Sequence, residues 1–323
     1  MNKIAIFGAA GAIGQSIAAA CRALGQPYRV VGRSASSLKA TFGADPLAEI
    51  LTWNPDDPAS VQAAATGVDA LIYLVGVNYW QFDLHPQLMQ KTLAGATAAG
   101  VKKMLLIGTV YPYGQPQTHT VREDHPRQPN TFKGKMRMEQ EDLLMALHAE
   151  GKIQASVLRL PDFYGPGVEA SFLHGAIQAA ASDGVADMVG PIDRPHEFVF
   201  VPDVGPVVLA LIHNADAYGH FWNLAGAGVT SQQALVQEIE QQTCGPLKRR
   251  VIGKTMLRIL GLFKPFMREM VEMHYLLTHP VLLDDGALQK LIGSIKKTSY
   301  SAGIAQCLAY QRKLNVRGGN IAG

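Results

Sequence analysis

In IAIFGAAGAIGQSIAAACRALG, Gly8, Gly11 and Gly14 directly follow a short apolar run and stand at the mouth of a helical pattern. A turn there needs backbone conformations that glycine adopts cheaply, and the missing Cβ lets a diphosphate approach the main chain. The helix that follows offers unpaired N–H groups and a partial positive charge to that anion. The chemistry expected is dinucleotide binding, with Gly8, Ala10, Gly11, Ala12, Ile13 and Gly14 as the seat. A second stretch, TFKGK, sets the hydroxyl of Thr131 and the ammonium of Lys135 four residues apart. On a helix such residues share a face. The apolar residues Phe132, Met136, Leu143 and Leu147 line a different face of the same segment.

The end of the second apolar run separates two kinds of dinucleotide. RVVGRS closes on Gly32-Arg33-Ser34, where an NAD-selective site usually carries an acidic residue for the ribose 2′-hydroxyl. Arg33 instead offers a planar fork to a 2′-phosphate, and Ser34 a further hydrogen bond. NADP(H) is therefore expected in preference to NAD(H). A solvated surface arginine is the competing account.

The elements that must position these residues follow from short apolar runs alternating with helical patterns. Strands are expected at Lys3–Phe7, Tyr28–Val31, Glu49–Thr52, Ala70–Val75, Lys103–Ile107 and Ser156–Leu160. Helices are expected at Gly11–Leu24, Pro58–Thr66, Pro86–Ala99 and Phe132–His148. This alternation predicts an α/β fold, a Rossmann-type doubly wound parallel sheet with helices on both faces. A smaller, mostly helical C-terminal substrate lobe is expected after it. Residues 1–165, with about 198–225, would form the NAD(P)-binding domain, and 166–197 with 226–323 the lobe. From about Gly165 the pattern is less regular, with a helix around Ala170–Ala181, a strand at Glu197–Val201, a helix at Asp203–His213 and a strand near His220–Leu224. The segment Thr255–Leu277 is apolar and helical, and Pro265 is expected to divide it. It is basic at its start, which also suits a helix on a membrane surface, but packing in the lobe is the commoner fate.

Composition narrows the function classes. With 323 residues, a net charge of +3 and no run of lysine or arginine, the chain is not expected to bind nucleic acid. No stretch reaches the ~20 unbroken apolar residues of a membrane span, so no membrane partner is expected. Cys21, Cys244 and Cys307 form no CxxC pair and read as reduced thiols, and the histidines show no ligand spacing, so no metal is expected. The start, MNKIAIFGAAGAIG, has one lysine and an apolar stretch like a weak signal peptide, but such a peptide is normally more basic and lacks glycines at a fixed spacing, so none is expected. A cytoplasmic location is expected. GxSxG is absent, which argues against a hydrolase elbow.

Several motifs in order resemble the short-chain dehydrogenase/reductase superfamily, in its extended or atypical NAD(P)-dependent epimerase/dehydratase branch. FGAAGAIG is similar to the GxxGxxG turn, DALIYLVG (Asp69–Gly76) to the fourth strand, and VKKMLLIGTVYPYG to the fifth strand and its SS-x-x-V-Y-G loop. LRLPDFYGPG (Leu158–Gly167) resembles R-x-x-N-x-Y-G-P-G, EFVFVPDVGPVVLAL resembles D-F-V-x-V-D-D-V-A, and FWNLAGAGVT resembles Y-N-x-G-x-G-x-x-x-T. The resemblance implies further cofactor contacts at Trp53, Val75, Gly76 and Pro161, and a possible homodimer through the helix that carries Lys135. It places Thr109 on the catalytic Ser/Thr, Lys135 on the lysine of Tyr-x-x-x-Lys, and Glu139 four residues beyond. That lysine holds the nicotinamide ribose and lowers the tyrosine's pKa.

In this alignment the tyrosine's place is held by Thr131, the one departure that touches the chemistry. An aliphatic hydroxyl cannot replace a phenol of pKa ~10 as acid or base near neutrality. The proton role passes to another phenol among Tyr111, Tyr113 and Tyr164, or Thr131 relays protons through water to Lys135, or the protein binds cofactor without turnover. The loop GTVYPYG, with two phenols within four residues of Thr109, favours relocation. Asp162 stands where relatives have a substrate-side asparagine, and serves either the substrate or the turn before Gly165-Pro166. Arg194, His196 and Glu197 precede a strand that meets substrate in relatives, Arg194 as an anion clamp or a surface ion pair. Asp203 reads as a helix N-cap, and Asn223 and Arg159 as structural. The function implied is an NAD(P)(H)-dependent oxidoreductase or epimerase moving a hydride to or from a carbonyl or carbinol carbon of a small molecule, a sugar or sugar nucleotide among the options. The alternative is a cofactor-binding regulator or redox sensor.

Overall fold

The computed structural model of the chain describes residues 3–319. Its strands are β1 (Ile4–Phe7), β2 (Tyr28–Gly32), β3 (Ala48–Thr52), β4 (Ala70–Tyr73), β5 (Lys103–Thr109), β6 (Gln154–Leu160), β7 (Asp162–Tyr164), β8 (Ala186–Val189), β9 (Phe198–Phe200), β10 (Phe221–Asn223) and β11 (Arg249–Ile252). The helices of the first half are α1 (Ala12–Ala23), α2 (Ala35–Phe42), α3 (Pro58–Ala65), α4 (Leu84–Ala98), α5 (Phe132–Ala149) and α6 (His174–Ser182). The second half adds α7 (Val201–His213), α8 (Gln232–Thr243), α9 (Lys254–Gly261), α10 (Pro265–Met273), α11 (Tyr275–Thr278), α12 (Gly286–Ile292) and α13 (Tyr300–Gly319).

Seven strands form one parallel sheet in the order β10-β6-β5-β4-β1-β2-β3. The chain starts at the middle of the sheet, runs to one edge, then crosses over and runs to the other, which is the doubly wound Rossmann topology. Consecutive residues of β1 explain why its run is apolar without alternation. Ile4 and Ile6 point into a core with Val204, Val208 and Leu211 of α7, while Ala5 and Phe7 point into a second core with Val61, Met89 and Leu93. Each face is covered by helices, so every strand position must be apolar.

The structure adds one helix and corrects one expectation. ASSLKATF shows little helical periodicity, yet it forms α2, because Ser34 caps it by accepting from the Ser37 N–H at 3.2 Å. Asp203 is not the N-cap of α7, which already begins at Val201. Its carboxylate accepts from the Thr298 N–H at 2.6 Å and the Thr298 hydroxyl at 2.8 Å, tying α7 to the C-terminal segment. Pro265 does divide the apolar segment, opening α10 after α9. A separate core of Leu173, Met188, Phe198, Leu235, Ile239, Ile304 and Leu308 joins α6, α8 and α13 with the short pairs β8–β11 and β7–β9.

Candidate active site

The carboxyl ends of β1, β4 and β5 open onto a cleft of about 510 Å³, lined by Gly8, Gly11, Ala12, Ile13, Val75, Gly76, Thr109 and Pro161 among others. Gly8 has φ +93°, and a Cβ there would lie 2.8 Å from the Leu74 carbonyl oxygen, so only glycine fits between β1 and β4. Gly14 does not line the cleft. A Cβ on it would lie 2.3 Å from the Ala9 carbonyl oxygen, so its glycine lets α1 pack on the turn. Ala10 is also outside the lining and accepts from the Gln15 side chain.

The N-terminus of α1 has no side-chain cap, unlike α2, α3, α5 and α8, which Ser34, Asp57, Thr131 and Ser231 cap, and its first turn holds no acidic residue. Its first N–H groups therefore lack a side-chain acceptor and face the cleft, which is the arrangement a diphosphate requires. Arg33 and Trp53 line an adjoining pocket of about 190 Å³ with Asp56 and Lys91. Ser34 spends its hydroxyl on capping and on Ser36, at 3.0 Å. These features fit a bound dinucleotide.

The face of α5 turned to the sheet is not the one the sequence suggested. Thr131 is the N-cap, with φ −124° and ψ 156°, so it lies outside the helix and the four-residue rule does not bring it beside Lys135. Its hydroxyl accepts from the Gly134 N–H at 3.0 Å. Lys135 and Glu139 are exposed, and neither Lys135 nor Thr131 lines the cleft. Phe132 is 52% exposed. The buried stripe is instead Lys133, Arg137, Gln140, Glu141 and Leu144. Lys133, Arg137 and Glu141 follow one another at four-residue steps, a second frame inside the same helix two residues out of step with Lys135.

Each member of this frame has a distinct environment. Glu141 holds Arg159 through two hydrogen bonds, at 3.0 and 2.6 Å, with both side chains almost wholly buried. Arg137 lines the cleft, donates to the Ile107 carbonyl at 2.9 Å and lies 3.3 Å from His85 Nδ1. Burial lowers its pKa, but a guanidinium stays charged. Burial and the Arg137 charge bring His85 down to about 2, so its ring is neutral and accepts. Among the described residues the hydrogen bonds of Arg137 go to a neutral ring and a carbonyl, not to a carboxylate, so a buried cation faces the cleft. Lys133 is 1% exposed and is held by Glu269 at 2.5 Å and Glu272 at 2.6 Å, both from α10.

Of the three phenols expected near the chemistry, the structure brings only Tyr111 to the cleft. It joins Tyr79, which the sequence did not single out, through a hydroxyl–hydroxyl contact of 3.1 Å. Burial raises the pKa of both phenols, Tyr111 well above its ordinary value. Thr109 accepts from the Tyr111 N–H at 3.4 Å. A Cβ at Gly134 would lie 2.8 Å from the Tyr111 carbonyl oxygen, so the glycine inside α5 lets this loop settle against the helix. Tyr113 faces away. Its hydroxyl donates to Asn223 Oδ1 at 2.9 Å, and its ring covers the Arg159 guanidinium at 4.5 Å. Tyr164 packs between Phe200 and Tyr300 in the C-terminal core, its hydroxyl without a partner.

Asp162 lines the cleft and pairs with His196 Nε2 at 2.6 Å. Arg194 is exposed and lies outside the lining. Glu197 also misses the cleft. It is 4% exposed and accepts from the Leu283 N–H at 2.8 Å, and burial raises its pKa from 4.5 to about 7. The folded state therefore holds this proton more tightly than the unfolded chain. Stability should fall as pH rises from 4.5 to about 7 and level off above, by about 3 kcal/mol in all. Denaturant unfolding across that range checks it: Glu197→Gln should flatten the slope, and an unchanged slope would assign the effect elsewhere.

A sequence model of the NAD dependent epimerase/dehydratase family matches residues 4–225. The fold is similar to that of a dTDP-glucose 4,6-dehydratase from Streptomyces venezuelae solved with NAD, with a TM-score of 0.81 at 16% identity, covering 98% of each chain. It is similar too to a UDP-glucuronic acid 4-epimerase from Bacillus cereus solved with UDP-glucuronic acid and NAD, with a TM-score of 0.80 at 17% identity, covering 97% of this chain and 99% of that one. With glycine turn, sheet order and matched residues in agreement, the chain belongs to the NAD-dependent epimerase/dehydratase family, the extended branch of the short-chain dehydrogenases/reductases.

Proposed function

We propose that the protein is an NAD(P)(H)-dependent oxidoreductase acting on a carbonyl or carbinol carbon of a small molecule, with NADP(H) preferred. The observation that carries this reading is that the uncapped glycine turn, Thr109, the Tyr79–Tyr111 phenols and the unpaired Arg137 cation all line one cleft. A bound nicotinamide would supply or accept the hydride. The chain's own residues would do the rest. Thr109 holds the substrate oxygen, and Tyr111 gives that oxygen a proton. A phenol whose pKa burial has raised keeps its proton at neutral pH, which suits reduction better than oxidation. Tyr79 restores the proton along the shared hydrogen bond. Arg137 takes the place of the family's lysine beside the ribose, and the Asp162–His196 pair meets the substrate. The segments 166–197 and 226–323 carry substrate selection. Several solved relatives are named for sugar nucleotides, so these head the substrates to try.

Arg33 supports the NADP(H) preference, since it is exposed beside the pocket and no acidic side chain ends β2. Arg33→Ala should weaken NADPH binding about tenfold, the scale of one charge-assisted contact, and leave NADH almost unchanged. Calorimetric titration checks this, and equal losses for both cofactors would remove the 2′-phosphate role. The reaction itself is tested by following reduced-nicotinamide absorbance over aldehydes, ketones and sugar nucleotides. The second reading, a cofactor-binding regulator, is favoured by Lys133, which occupies the first place of the buried four-residue frame and is locked by two carboxylates. Micromolar NADPH binding without turnover on any substrate would select it.

A further inference from the structure

The α9–α10 hairpin packs on the body with one side and leaves the other uncovered. On the inner side Leu257, Met270 and Met273 are buried, Phe266 meets the Tyr79 ring at 5.6 Å, and Glu269 and Glu272 grip Lys133. The outer side is apolar. Met256, Ile259 and Phe263 follow at helical spacing, and Leu262 and Phe263 are 80% and 82% exposed at the turn. Scattered apolar side chains need no partner, but a contiguous patch ending in two bare large residues does.

The charges around this patch state which partner it suits. Residues 247–268 contain Lys248, Arg249, Arg250, Lys254, Arg258, Lys264 and Arg268 and no aspartate or glutamate. Arg249 and Arg250 are engaged by Glu240 and Asp187, and Arg268 leans on Glu269 at 3.4 Å. Lys254, Arg258 and Lys264 are exposed and flank the apolar turn. We infer that this hairpin seats the protein on an anionic lipid bilayer, with Leu262 and Phe263 entering the headgroup–acyl boundary and the flanking cations meeting lipid phosphates. An apolar tip with a cationic rim is the pattern of helices that lie in the membrane interface. A second copy of the chain fits less well, because a two-fold contact would set the cationic rim against itself.

This revises the expectation of no membrane partner, which rested on the absence of a span. Among the described residues no helix is long and apolar enough to cross a membrane. The hairpin would lie on the surface instead. The segment's two sequence readings, lobe packing and membrane surface, both apply, one to each side.

Co-sedimentation of the full chain with vesicles tests the inference. The protein should sediment with mixed phosphatidylcholine–phosphatidylglycerol vesicles and not with pure phosphatidylcholine, and added salt should weaken the binding. The double variant Leu262→Ser, Phe263→Ser should lose roughly tenfold or more in vesicle affinity, while its melting temperature and NADPH affinity stay at wild-type values. Lys254→Gln with Lys264→Gln should lose part of the binding. No sedimentation with the mixed vesicles, or sedimentation that the double variant does not diminish, would overturn it. So would a concentration-dependent dimer abolished by the double variant, which would give this face to a second copy.

Discussion

Replacing Tyr111 with phenylalanine should lower kcat by roughly 10²–10⁴-fold, the usual worth of a well-placed general acid, while NADPH affinity is retained. The ring stays, so its packing against Phe82 stays with it. What leaves is the proton that faces the cleft and the partner of the Tyr79 hydroxyl. Tyr79→Phe should have a smaller effect, because it removes the resupply and not the donor. Two further variants make the comparison specific. Tyr113→Phe should cost stability by about 1 kcal/mol, the net value of one buried hydrogen bond, with kcat unaffected, since its hydroxyl serves Asn223. Tyr164→Phe should do almost nothing, since its hydroxyl has no partner to lose. Stopped-flow turnover and cofactor titration on the same preparations separate the cases. If Tyr111→Phe turns over like wild type, the proton comes from elsewhere and the proposed chemistry is wrong.

Glu141→Ala is expected to be the most damaging single change to the fold, with a loss of about 3–5 kcal/mol, the cost of stranding a buried charge. Arg159 is 0% exposed and lies between the rings of Tyr113 and Phe221, at 4.5 and 4.3 Å. Without the carboxylate its guanidinium would keep its charge and lose both of its charge-assisted bonds. Arg127, which reaches Glu141 at 3.3 Å, would lose a partner too. Lys135→Ala on the same helix should stay within about 0.5 kcal/mol, as an exposed side chain without a contact does. Chemical denaturation reads both numbers. A Glu141→Ala loss below about 1 kcal/mol would mean that water or a neighbour reaches Arg159, and that the fold does not depend on the pair.

The helix carrying these residues also marks where sequence reading loses its hold. Two frames with a cation and an acid at four-residue steps run through TFKGKMRMEQEDLL: Thr131, Lys135, Glu139 and, two residues later, Lys133, Arg137, Glu141. The first draws notice because it contains a Thr–Lys pair, while the apolar Phe132 and Met136 lie off its face. Hydropathy points the wrong way because the buried face here is polar. Its stripe satisfies a buried arginine, a cleft and a second helix, not an oil-like core. Tyr79 escapes for a related reason: VNYWQFDLH has no regular period, and only the fold lays it across from Tyr111.

By itself the sequence determined the doubly wound sheet and the glycine turn at its centre, because strand runs, helix periods and glycine geometry are local properties that each segment carries alone. The tertiary structure alone decided which frame of α5 faces inward, which phenol reaches the cleft, and that Lys133 is bound by carboxylates 136 and 139 residues away. Those outcomes depend on which charges must be neutralised once water is excluded. That balance does not exist until distant segments have packed.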